Sequence, residues 1–178
     1  AGMHAMSRGM LTISVDLFGR DVAVPYGADI CDRYSDFTQP VLDEVRREIS
    51  TVGYRFISFV LPVHTTEAFT TGGCRFGGLG QVNGALTWNV AYIDWPESRP
   101  ASRVVMHEWG HNLGLWHSNY LQCAVGAQPV ALAARADRAA GACQRHEYGG
   151  EWSVMGQAPG PSITAGERRH LGWLRDGE

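Results

Sequence analysis

The sequence predicts an α+β fold, on three observations. Leu11, Ile13, Val15 and Leu17 alternate with Thr12, Ser14 and Asp16, the period of a half-buried strand. Val41, Leu42, Val45 and Ile49 recur at helical spacing, with Asp43, Glu44, Arg46, Arg47 and Glu48 on the wet side. Strand-like runs follow, and then a histidine-bearing helix. That mixture of strands and helices is the α+β pattern.

The elements follow in turn. The opening residues, Ala1 to Met10, contain no signal-peptide core and read as vector sequence or a trimmed precursor, with His4 incidental. Gly19 and Pro25-Tyr26-Gly27 mark turns. Pro40 suits a first helical turn. Tyr54 to Leu61 is an apolar, strand-like run, and Gly72-Gly73 and Gly77-Gly78 open a loop-rich stretch. Gln81 to Trp95 reads as two short strands, with Asn83-Gly84 as their turn. Ser102 caps the next helix, which buries Val105, Met106 and Trp109. Alanine-rich Pro129 to Ala140 reads as a short helix in a solvated insert. Thr164 and Glu167 have the spacing of a capping box for a last helix. No repeat is apparent.

His107 to His117 reads H-E-x-x-H-x-x-G-x-x-H. On a helix, His107 and His111 project from one face, close enough for both to reach one zinc ion at about 2.0–2.1 Å. Gly114 can take a positive φ and end the helix, so that the chain turns and returns His117 as a third ligand. Three histidines leave one tetrahedral position open, the pattern of a catalytic rather than a structural zinc site. Glu108 is placed to touch a metal-bound water. Zinc lowers the pKa of such a water to about 7, and Glu108 takes its proton as the water attacks. The metal then stabilises the oxyanion, and Glu108 hands the proton to the leaving amine.

This elongated motif resembles that of the metzincin zinc endopeptidases. Their second hallmark, a methionine in a tight turn beneath the metal, is matched by Trp152-Ser153-Val154-Met155-Gly156. By that resemblance Met155 forms an apolar floor and is not a ligand. Tyr148-Gly149 before the turn, and Glu167-Arg168-Arg169-His170-Leu171-Gly172-Trp173-Leu174 after it, resemble the gametolysin-like branch, which includes secreted algal and bacterial enzymes. Some branches carry a tyrosine two residues after the turn methionine; Gln157 stands there, so no tyrosine ligand is expected from that position. The resemblance covers about the C-terminal two-fifths of the chain; the N-terminal part matches only by its order of elements. It implies one α+β catalytic domain over residues 1–178, a twisted mixed sheet plus the active-site helix, the Met-turn and a C-terminal helix, with an upper subdomain at 1–117 and a lower, mostly irregular one at 118–178. It also implies a peptide lying antiparallel along an edge strand within Gly78 to Trp88, by strand addition. Residues Gln157 to Ser162 would then wall the first pocket beyond the scissile bond.

A chain of 178 residues is long enough for one good core. Hydrophobic residues make up 44% and charged residues 19%, a globular rather than a disordered composition. A net charge of −3 gives no footprint for nucleic acid, and no apolar run approaches a membrane span. All fifteen basic residues are arginine, which carries no mechanistic weight. Cys31, Cys74, Cys123 and Cys143 form no C-x-x-C pair. In a secreted hydrolase an even count suggests two disulfides. Three pairings are possible, and Cys31 with Cys74 and Cys123 with Cys143 is favoured. His64 and His146 lack a partner at ligand spacing, and His146-Glu147 is not a second zinc motif.

The expectation is therefore a secreted, extracellular, monomeric zinc metalloendopeptidase acting on protein or peptide. His107, His111 and His117 hold Zn2+, and Glu108 is the catalytic base. The alternative is a secreted zinc-containing binding or cell-wall module without turnover. Glu108 argues against it, since loss of that residue is the simplest route to a non-enzyme. An amide other than a peptide is a third possibility.

Overall fold

The computed structural model describes residues 2–19, 21–26, 29–63, 74–92, 102–126, 128–129, 143–159 and 162–175. They form a mixed α+β structure with small sheets and few helices. The chain divides into two compact units, residues 12–114 and residues 1–11 with 115–178.

In the 12–114 unit, helix α2 (Tyr34–Glu48) packs on a three-stranded sheet of β1 (Ile57–Val63), β2 (Gly78–Gly80) and β3 (Leu86–Tyr92). The strand order is β1-β3-β2, with β1 parallel and β2 antiparallel to β3. Phe59, Leu61 and Val63 alternate with exposed neighbours along β1, so one face of that strand is buried. Phe59 stacks on Trp88, Phe37 meets Phe59 edge-on, and Tyr34 tilts against Trp88. Trp88 Nε1 donates to Thr38 Oγ1, which satisfies the one polar group of that buried ring.

Several expectations for this unit are corrected. Residues 11–17 form no strand: Val15 and Leu17 are 60% and 88% exposed, and no described strand pairs with them. Alternation describes side chains; a strand also needs a neighbour's backbone. Pro40 lies inside α2 rather than in its first turn. Tyr34 and Phe37 share a face with Val41, and their burial in the aromatic cluster draws the helix back six residues. Pro40 and Asp36 are exposed, so water can serve the carbonyl that the missing N–H leaves. The hairpin's first strand is Gly78–Gly80, ahead of Gln81, while Asn83-Gly84 does make the turn, with Asn83 at φ 56°. The Tyr54–Leu61 run is a strand only from Ile57.

Helix α3 (Ser102–Asn112) completes this unit, with Ser102 as its first residue. Its buried residues are Glu108, Gly110, His111 and Asn112, while Val105, Met106 and Trp109 are only half-buried. The correction has a reason in the sheet. The face of the sheet opposite Phe59 and Trp88 carries Ser58, Thr87 and Asn89, so α3 meets a polar surface. Trp109 Nε1 and Thr87 Oγ1 both donate to Ser58 Oγ.

The other unit contains α1 (Gly2–Met6), a three-stranded sheet of β4 (Tyr120–Val125), β5 (Gln128–Pro129) and β6 (Cys143–His146), and α4 (Ala165–His170). The opening residues are not an incidental tail. Met3, Met6 and Ser7 are buried, and Arg168 Nε donates to the Met6 carbonyl. The lower part is also less irregular than expected, since β4 pairs antiparallel with both β5 and β6. Thr164 and Glu167 form the full capping box. Both favoured disulfides are present, Cys31–Cys74 and Cys123–Cys143. His64, Gly72-Gly73, Trp95 and all of the alanine-rich stretch after Pro129 lie outside the described residues. Among the described residues no helix is long and apolar enough to cross a membrane.

Candidate metal centre

The ligand atoms of His107, His111 and His117 all lie within 4.8 Å of one another. His107 and His111 sit one turn apart on α3, with ring centroids 4.8 Å apart and the rings nearly perpendicular. Gly114 then takes φ 101°, and its N–H bonds back to the His111 carbonyl, so the helix stops within one turn of His111. A side chain there would also strike Asn83 Oδ1. The hairpin turn caps the same helix end. Asn83 N–H donates to the His111 carbonyl, and Asn112 Nδ2 donates to the carbonyls of Gln81 and Leu86.

Glu108 points the opposite way from a surface glutamate. It is 4% exposed, and burial pushes its carboxyl pKa up to about 7. Two glycines of β2 make room for it. A Cβ on Gly78 would fall 2.7 Å from Glu108 Cγ and Oε1, and one on Gly80 only 2.5 Å from the Glu108 carbonyl. In the sequence Gly77-Gly78 opens a loop-rich stretch, and Gly78 also begins the range expected to hold an edge strand. The missed signal is the Gly-x-Gly spacing, which puts two missing side chains on one face of a strand.

No family model, curated protein or solved structure matches the chain.

The functional reading therefore rests on the residues themselves. His117 is held by a carboxylate that sequence reading did not assign: Glu147 Oε1 lies 2.7 Å from His117 Nδ1. That hydrogen bond keeps the Glu147 carboxyl below the usual carboxylate range. The two residues stand thirty apart in sequence, so no local spacing could reveal the pair. His146 lies outside this group of three; it stacks on Tyr120 at 4.6 Å between centroids.

Met155 is fully buried in a tight turn. Its N–H is taken by Ser153 Oγ, and its carbonyl accepts from Ser118 N–H, next in sequence to His117. The Ser153 hydroxyl in turn donates to Glu167 Oε1, so the capping glutamate also fastens this turn. Gln157 is exposed, as are Trp116 and Trp152. Of the expected pocket wall, Gly160 and Pro161 lie outside the described residues.

The donor set fits a metal ion. Three imidazoles suit zinc, copper, iron or nickel, and among the described residues no fourth side chain joins the group. A carboxylate on the outer nitrogen of one imidazole is the usual companion of a histidine ligand.

Proposed function

We propose that this chain is a secreted zinc-dependent endopeptidase of the metzincin type, nearest the gametolysin-like branch. The observation that carries the reading is the convergence of three histidines at one point, with a buried glutamate on the same helix. Three imidazoles alone would serve a binding module. A carboxylate kept from water beside them is costly to fold and has a use in proton transfer.

His107, His111 and His117 would hold the ion. Zinc bound there would supply Lewis acidity, bringing a water's pKa to about 7 and polarising a carbonyl. Glu108 accepts the proton of the attacking water at its carboxylate and delivers it to the leaving amine. A neighbouring cation would favour its ionised form against the burial that raises its pKa. The substrate backbone pairs with the outer edge of β2, which no described strand occupies. Gly78 to Gly80 lie directly over Glu108, so a peptide on that edge runs past the proton acceptor. Met155 provides an apolar support. Two disulfides suit an oxidising, extracellular setting.

The test is incubation with an unfolded protein, with and without a chelator. Cleavage should stop on chelation and return with added zinc. One tightly bound zinc per chain, with no cleavage of any peptide, would instead identify a metal-binding module.

A further inference from the structure

We propose that Glu147 and Tyr148 are positioning residues for His117, which they hold with the ring lone pair on Nε2. The inference rests on the metal-binding reading above. An ionised carboxylate can only accept hydrogen bonds, so the 2.7 Å contact with Nδ1 requires the proton to be on Nδ1. The lone pair of a neutral imidazole is then on Nε2. Tyr148 fixes the ring from its face, with centroids 3.9 Å apart at a tilt of 35°.

The backbone supports this reading. Tyr148 has φ 59°, a left-handed conformation rare for a bulky residue. The turn is held there from both sides: Tyr148 N–H donates to Asn119 Oδ1, and Gly149 N–H donates to the His146 carbonyl. Gly149 itself has no room for a side chain, because a Cβ would fall 2.2 Å from the Tyr120 ring. Strained backbone of this kind persists where the surroundings over-determine it, and such places cluster at functional sites. Here the strain has a visible result, because it places two consecutive side chains on one imidazole. The competing reading is an ordinary surface ion pair, since the Glu147 side chain is 56% exposed.

The decisive comparison is Glu147→Ala against Glu147→Gln in the full chain, with folding checked by circular dichroism. Zinc affinity is measured by chelator competition. The His117 tautomer is read from ring nitrogen shifts in the metal-free protein. In the unsubstituted protein His117 should carry its proton on Nδ1. Glu147→Ala should shift it towards Nε2 and weaken zinc binding about 10–100-fold. Glu147→Gln retains an acceptor oxygen and should recover part of that loss. Tyr148→Ala, which removes the ring from the face of His117, should also weaken zinc binding. An unsubstituted protein with His117 protonated on Nε2, or a Glu147→Ala variant with unchanged affinity, would overturn the proposal. A protein that binds no zinc at all, yet carries the Nδ1 proton, would overturn the metal-binding reading instead.

Discussion

Glu108 and His111 lie on the same turn of α3 but should fail in different ways. His111→Ala removes a ligand, so bound zinc should fall from one per chain and cleavage should go with it. Glu108→Gln keeps shape and metal but loses the proton acceptor, so cleavage should drop by about 10²–10⁴-fold with zinc content nearly unchanged. Metal analysis and peptide cleavage on both variants separate the roles. Near-normal cleavage by Glu108→Gln would sink the proton-transfer assignment, and loss of its zinc would make Glu108 a ligand. At this scale the candidate site was largely legible. Eleven consecutive residues fix the three histidines, the glutamate and the glycine that reverses the chain, because helix geometry sets the first two histidines and a glycine that ends the helix allows the third to return. Glu147 was not legible, because its contact with His117 arises from a turn thirty residues away.

Among the elements, β2 is the one most exposed to substitution. A Cβ on Gly80 would meet the Glu108 carbonyl, a backbone atom that cannot swing aside. Gly80→Ala should therefore lift β2 from α3, costing about 1–3 kcal/mol and reducing cleavage. Gly19→Ala has nothing within 4 Å and should be silent in the same urea-unfolding measurement. The capping box offers a second contrast. Thr164→Ala should cost about 1 kcal/mol. Glu167→Ala should cost roughly 1–3 kcal/mol more, because it also leaves the buried Ser153 hydroxyl without its acceptor. Equal losses for the two would remove Glu167 as the anchor of the Met155 turn. Elements whose signal is local were largely read correctly: Val41 and Leu42 on the inner face of α2, the Asn83-Gly84 turn and the cap of α4; Ile49, expected on that inner face, is exposed and follows the helix. The expected strand at 11–17 failed because pairing is a long-range event that a period of two does not encode. The polar seat of α3 was likewise hidden, since Ser58 and Thr87 become its floor only once β1 and β3 pair.

For the whole molecule, the even cysteine count proved informative, and the sequential pairing matches both bridges. Thiol titration under denaturing, non-reducing conditions should find no reactive thiol. Breaking Cys123–Cys143, which closes a separation of 20 residues, should cost about 3 kcal/mol in the chain-entropy account. Four titratable thiols would remove the case for an oxidising compartment. Composition could not reveal that residues 1–11 belong with 115–178, because nothing in their periodicity names a distant partner. That membership has a consequence in time. A ribosome releases α1 long before its partners exist: about a hundred residues separate them, roughly 5–20 s of synthesis at usual rates. Residues 12–114 have all their own contacts to hand as soon as Gly114 emerges. A helix of five residues does not persist alone in water, so Gly2–Met6 must be recruited by a chain still being made. Met3 and Met6 are translated ahead of residues 12–114, yet the unit in which they are buried is completed only by residues that follow Gly114.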